Sequence, residues 1–271
     1  MDQESLEAQA QLIAAHFIAR PDNAAQQNDD GSWRPTGQPF TMDSILAHLR
    51  GDITLGHYTI NQRNETKIVV FDIDIDKTGK LPVVTDESMP TYFTQVIDEP
   101  DLVGAWHDRA HPARAYMKQQ LKIAASLLAK SAHDALNVPT AVEYSGNKGL
   151  HVYCFLGPNF PANEAYEASQ LIMESTGRFT PRRGSNFWRD INENDPVMGL
   201  GNLTIETFPK QPEVSSDGFG NLVALPLGRN RKWMADEKFF VSLVSPLTEL
   251  LPVSMATAIE QGQWSDEQMV V

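Results

Sequence analysis

The sequence predicts an α+β protein, and three observations carry that reading. Residues 113 to 136 place Met117, Leu121, Ala124, Leu128, Ala132 and Leu136 on one face at helical period. "TAVEYS" and "LHVYCFL" are strand-like runs joined by "GNKG", a tight-turn signal. The strand candidates along the chain are separated by irregular lengths.

In chain order, residues 4 to 19 read as an amphipathic helix with Leu6, Ala10, Ile13 and Phe17 on one stripe, stopped by Pro21. Residues 21 to 41, rich in Asn, Asp, Gln, Gly and Pro, read as a loop. "MDSILAHLRG" is a short helix ending at Gly51 in the manner of a glycine C-cap. "ITLGHYTI" and "TKIVVFDIDI" are strands around the turn-like "NQRNE". Residues 77 to 112 carry Pro82, Pro90, Pro100 and Pro112 with little periodicity, and read as an irregular insertion before the long helix. Beyond the hairpin, Asn163 is the expected cap of a helix running to about residue 176. "GRFTPRRGSNFW" reads as a basic loop with aromatics. "NLTIETF" and "NLVALPL" are further strands, the second followed by "GRNRKW". From 237 onward the chain mixes short apolar segments and ends in acid, and no internal repeat or low-complexity tract interrupts it.

Composition excludes several classes. The 271 residues suffice for one large domain or two lobes around a shared site. Cys154 is the only cysteine, so neither a disulfide framework nor a cysteine-based zinc site can form within one chain. The first twenty residues lack the basic start and apolar centre of a secretory signal. No apolar run approaches the roughly 20 residues that span a bilayer. A cytoplasmic location without membrane partners is the expectation. The net charge of −13 argues against coating nucleic acid by charge alone. A nucleic-acid reading therefore needs a local basic groove and predicts binding that falls quickly with salt.

The most informative stretch is "KIVVFDIDIDKTGK", residues 67 to 80. Aspartate is depleted in strands, and neighbouring carboxylates repel one another. Alternation puts Asp72, Asp74 and Asp76 on one face and Phe71, Ile73 and Ile75 on the other. Same-face carboxylates at this spacing can grip one or two divalent cations, which cancel their repulsion; oxygen-only ligands suit Mg²⁺ or Mn²⁺. Two other readings stay open on this segment. One is a solvated edge strand whose charges oppose aggregation. The other is a phosphatase of the haloacid dehalogenase type, since "DIDKT" resembles its Asp-x-Asp-x-Thr strand end, with Asp74 and Asp76 as the pair.

Three more segments need a common explanation. "EYSGNKGLHVYCF" sets Ser145, Lys148 and His151 around two glycines, which let backbone amides approach an anion. The plain alternative is a hairpin whose glycines only serve the turn. "LTIETFPKQ" offers Glu206 as an isolated strand carboxylate, suited to a third metal ligand or simply solvated. "GFGNLVALPLGRNRKW" ends in Arg229, Arg231 and Lys232 beside Trp233, suited to phosphate contact and stacking or to a solvated turn. Arg178, Arg182, Arg183 and Arg189, interleaved with Phe179, Phe187 and Trp188, form a second basic and aromatic stretch that could touch a template strand.

In this order the segments resemble the archaeo-eukaryotic primase superfamily. The matching pieces are the Asp72-x-Asp74 strand, the Ser-Gly-x-x-Gly-x-His run from Ser145 to His151, and a later acid-bearing strand. "HLRGDITLGHY", "ETFPKQ" and "GFGNLVALPLG" bring the likeness closest to the primase–polymerases of mobile elements and defence or CRISPR-associated systems, over about residues 42 to 233. The resemblance implies an RRM-like catalytic sheet beside a smaller αβ module, with the site in the cleft between them. It implies a single catalytic domain, with an N-terminal helix and loop over 1–41, a core over 42–236 and a C-terminal extension over 237–271.

The resemblance also implies roles. Asp72, Asp74 and Glu206 hold two Mg²⁺ or Mn²⁺ ions and act as the catalytic acids. Ser145, Lys148 and His151, with Arg229 or Lys232, hold the triphosphate of an NTP or dNTP. Arg178, Arg182, Arg183 and Trp188 are the expected contacts to a single-stranded DNA template. Helicase or other domains, in trans or in a longer parent chain, are compatible partners. Many members carry Asp at the third acid position and several carry a zinc motif; this chain has Glu206 and a single cysteine. The implied reaction is primer synthesis and templated extension by nucleotidyl transfer. The phosphatase lacks a late acidic pair in "GLGNLTIE" and leaves "SGNKGLH" idle. A non-catalytic RRM-like module would present aromatics on its sheet, whereas this strand presents acids.

Overall fold

A computed structural model of the chain describes residues 3–77, 101–182, 186–192, 199–215 and 217–262. The fold is organised by β4 (Glu65–Ile75), whose alternation matches the expected one. Val69, Phe71, Ile73 and Ile75 are fully buried on one face. At about 1.5–3 kcal/mol for each buried side chain, this row outweighs the preference of roughly 1 kcal/mol that each aspartate has against a strand. Asp72 and Asp74 look out from the opposite face.

Among the described residues, the main sheet has the order β14-β13-β5-β6-β4-β9-β8-β7, with every neighbouring pair antiparallel. Its members are β5 (Thr140–Tyr144), β6 (Gly149–Pro161), β7 (Phe179–Pro181), β8 (Phe187–Asp190), β9 (Leu203–Phe208), β13 (Phe239–Val241) and β14 (Pro252–Val253). The buried row of β4 packs against α3 (Leu102–His107), α4 (Ala113–Leu136) and α5 (Ala162–Ser175). Tyr116, Met117, Leu121, Ala124 and Leu128 of α4 are fully buried there, together with Val152 and Cys154 of β6.

The other face of the sheet carries a second core. There α1 (Gln3–His16) and α2 (Met42–Leu49) pack on it, with Phe17 edge-on to Tyr153 and Phe155 at 4.9 and 5.4 Å. Beside them runs a second antiparallel sheet of order β10-β3-β1-β2, made of β10 (Leu222–Ala224), β3 (Leu55–Tyr58), β1 (Ala25–Gln27) and β2 (Trp33–Pro35). A hairpin of β11 (Arg229–Asn230) and β12 (Trp233–Glu237) follows it, and α6 (Met255–Gln261) closes the described chain. No described helix is long and apolar enough to cross a membrane.

Several local expectations are corrected. The loop expected over 21–41 contains β1 and β2, which are short, polar and held by pairing with each other and with β3. The part of the insertion from 101 to 112 holds α3, N-capped by the side chain of Asp101; residues 78–100 lie outside the described residues. Asn163 lies inside α5, whose N-cap is Pro161. The basic loop is the β7–β8 hairpin, joined to the sheet through β9. In the stretch from 237 onward, β13 pairs with β5 and so enters the main sheet.

Candidate active site

Register brings the acids together. Asp72 lies opposite His151 of β6 on one side and Glu206 of β9 on the other, and His151 lies opposite Glu143 of β5. Four ionisable side chains thus form a row across four adjacent strands. Asp74, one step along β4, lies opposite Gly149 and Thr204. A Cβ on residue 149 would stand 2.2 Å from the Ile73 carbonyl oxygen and 2.5 Å from Asp74 Oδ1, so only glycine fits there. Gly146, at φ +74, supplies the left-handed turn residue between β5 and β6.

Asp72, Asp74, Ser145, His151 and Glu206 line one cleft of about 280 Å³, between the main sheet and the smaller one. Gln27, Trp33, Leu222 and Asn230 line it from the smaller module, and Lys210 and Lys238 add positive charge. Two lysines thus face three carboxylates, so the cleft itself is not the basic groove that a nucleic-acid reading expects of a chain of charge −13. Lys148 is bonded to Asp74 and to the Ile75 carbonyl, and Lys210 to Glu206. Burial, then the charges of Asp74 and Glu206, push Asp72 up to about 6, against the pull of His151 and Lys148.

The turn between β5 and β6 is braced from outside. The Asn147 carbonyl accepts hydrogen bonds from the Trp106 indole and, at 2.7 Å, from the Tyr144 hydroxyl. Its side-chain oxygen meets His107 Nε2 at 3.0 Å, and the His107 ring stacks on Trp233 at 3.7 Å. Behind His151, Glu143 is fully buried. It accepts hydrogen bonds from the Tyr153 hydroxyl at 2.8 Å and the Leu227 amide. Burial favours the acid form of Glu143, yet Lys238, His151 and that amide together hold it below the usual carboxylate range.

The remaining expected site residues lie elsewhere. Arg229 is bonded to Glu237 and packs over Gly51, and Lys232 lays its stem over Gly31; neither lines the cleft. Arg178 makes a two-pronged ion pair with Asp190, at 2.7 and 2.9 Å, that ties β7 to β8. Trp188 is 1% exposed in the helix-side core and has no face open to a base. Its neighbour Phe187, 41% exposed, lies opposite Glu206 and has the Lys210 ammonium 5.9 Å from its ring. Arg182 is 3.8 Å from Asp76, the third aspartate of the ladder. Arg183 lies outside the described residues.

Sequence reasoning missed Glu143, Lys210 and Lys238. A signal for the first was present. Closing the hairpin with Ser145 opposite Gly149 pairs 143 with 151, a count possible on the sequence alone.

The donor set fits a hard divalent cation: Asp72, Asp74 and Glu206 offer only oxygens, and their crowding raises the cost of charge that a cation would relieve. As they stand, no three His, Cys, Asp or Glu side chains among the described residues converge on one point. Two of the three carboxylates are turned to lysine ammonium groups instead.

Comparison with curated proteins gave no match. Over residues 15–206 the chain matches the TOTE conflict system archaeo-eukaryotic primase domain, a span that takes in Asp72, Asp74, the Ser145–His151 run and Glu206. That is well over half of the 271 residues. The chain therefore belongs to the archaeo-eukaryotic primase family of TOTE conflict systems, a family of primase/polymerase-type nucleotidyl transfer.

Proposed function

We propose that this protein is a DNA primase–polymerase that makes primers and extends them on a single-stranded DNA template. The observation that carries the reading is the in-register row His151–Asp72–Glu206, with Asp74 beside it and the glycine-flanked turn at its edge. The strand order β9-β4-β6-β5, with α4 between β4 and β5 and α5 between β6 and β9, supports an RRM-like catalytic sheet. The sheet β10-β3-β1-β2 with α1 and α2 serves as the smaller module, and β13 ties the segment after 236 into the same catalytic domain.

Asp72, Asp74 and Glu206 would hold two Mg²⁺ or Mn²⁺ ions. Bound there, the ions would lower the pKa of a 3′-hydroxyl and stabilise departing pyrophosphate. The chain's own groups do the rest. His151, Ser145 and the amides of the turn hold the triphosphate of an NTP or dNTP. Lys148 and Lys210, already at the acids, are placed to move onto phosphate oxygens and offset charge as the 3′-oxygen joins the α-phosphorus and pyrophosphate leaves. Phe187 and Arg182, at the rim next to Glu206 and Asp76, are the template-side contacts that the geometry favours over Trp188 and Arg178. Family membership sets aside a phosphatase built on Asp74 and Asp76.

The test uses unprimed and primed single-stranded DNA, ribo- and deoxyribonucleotides, and Mg²⁺ or Mn²⁺ in turn. Products should form with the wild type and vanish in Asp72→Ala and Asp74→Ala, with melting temperatures at least equal to wild type. Substantial extension by both variants would refute the assignment.

A further inference from the structure

Glu143 is a carboxylate sealed inside the protein at 0% exposure, and burying a charge is costly unless it is paired and hydrogen-bonded. Here it is both. Oε1 accepts the Leu227 amide. Oε2 accepts the Tyr153 hydroxyl at 2.8 Å and faces His151 Nδ1 at 3.0 Å, and the Lys238 ammonium stands 3.7 Å away. Lys238 is itself buried and donates to the Leu225 carbonyl at 2.8 Å. The Tyr153 oxygen is also 3.0 Å from His151 Nδ1.

This arrangement decides the proton on the imidazole. An ionised carboxylate can only accept, and the Tyr153 hydrogen is already committed to Glu143. Both neighbours of Nδ1 are therefore acceptors, and Nδ1 must be the donor. Nε2 is left pointing the other way, 3.5 Å from Asp72 Oδ1 and into the cleft. If Glu143 served only to neutralise Lys238, it would not need to lie opposite His151 on the neighbouring strand with an oxygen on its ring nitrogen.

We infer that Glu143 is the positioning residue of His151: with Tyr153 it holds the Nδ1 proton and the ring plane, so that Nε2 faces the incoming nucleotide and, carrying the ring's second proton when the polyphosphate is bound, donates to a phosphate oxygen. The nucleotide part rests on the function proposed above; the orientation part does not. Metal sites show the same logic, where the group behind a histidine sets which nitrogen works and its loss costs about 10- to 100-fold.

Two measurements test it. Long-range ¹H–¹⁵N spectra of the histidine rings, with His151 assigned from His151→Ala, read which nitrogen carries the proton. Wild type should show it on Nδ1, and Glu143→Gln should lose that single state, because a carboxamide cannot accept from both Leu227 and Nδ1. A proton only on Nε2 in the wild type would overturn the proposal. The second measurement is calorimetric affinity for a non-hydrolysable nucleotide with Mg²⁺, taken as a double-mutant cycle. Glu143→Gln should weaken binding roughly tenfold or more with His151 present and by less than about twofold in the His151→Ala background. Equal losses in both backgrounds would mean a merely structural role and would overturn it. Tyr153→Phe keeps the carboxylate and carries the same cycle if Glu143→Gln does not fold, with a smaller loss that again requires His151. Wild-type protein that binds no nucleotide, yet shows the Nδ1 proton, would sink the proposed function and leave the positioning intact.

Discussion

Asp72 bears two opposed demands. Its register neighbours make it the centre of the site, and its burial beside Asp74 and Glu206 makes its negative charge unwelcome. The sign of the consequence is fixed. A carboxyl with an ordinary value of 3.8 that rises to about 6 in the fold binds its proton more readily folded than unfolded. Its charge therefore costs no stability below about pH 4 and its full amount above about pH 6. Asp72→Asn should abolish nucleotidyl transfer yet raise the melting temperature at pH 7.5 in EDTA by roughly 2–4 °C, read by calorimetry; the gain should vanish near pH 4. At this scale the sequence was most legible where residue type is improbable. Aspartates alternating in an apolar strand and glycines around Ser145 and Lys148 stand out against their surroundings. Glu143 did not, because a single acid in "TAVEYS" looks like an ordinary strand residue until its partner across the hairpin is counted.

Elements with strong period or strong caps were readable, and those held only by pairing were not. The helix expected over 113–136 spans Ala113–Leu136, because its apolar stripe is long and its end is set by Asn137 in the left-handed region. The β7–β8 segment reads as a loop in sequence because Arg178, Arg182 and Pro181 give no alternation; it is held by pairing to β9 and by the Arg178–Asp190 brace. Only the strand at 187–190 separates the two aromatics, turning Phe187 outward and Trp188 into the core. Capping gives a clean contrast. Thr41 and Ser44 form a reciprocal capping box at the start of α2, whereas Asn163 caps nothing. Thr41→Ala should lower stability by about 1 kcal/mol, while Asn163→Ala should change it by less than about 0.5 kcal/mol, both measured by urea unfolding.

Across the whole molecule, mild acid should act first through the smaller module, where two histidines are buried. His48 is fully buried and fully used: Nδ1 accepts the Leu55 amide at 3.1 Å, and Nε2 faces the Pro226 carbonyl at 3.1 Å. Burial, then the Lys238 charge, lowers it to about 4, and burial lowers His57 of β3 to about 3. Both histidines take up protons near pH 6.5 when unfolded and only at those lower values when folded. Stability is therefore complete above about pH 6.5 and declines as pH falls, by up to roughly 1.4 kcal/mol per pH unit for each proton. Asp72 works in the opposite direction with one proton against two, so the net effect is loss. Urea unfolding between pH 7.5 and 4.5 should show it, and His57→Leu should reduce the slope by about one proton; an unchanged slope would refute the assignment.

The alternation of β4 has a last consequence. Sliding that strand by a single residue would drive two acids into the oily layer under α4 and expose Phe71 and Ile73 to water. A misthreaded chain is thus penalised on both sides at once. Errors in the chemistry and errors in folding become the same error, so quality control that rejects the misfolded fraction also rejects the inactive one.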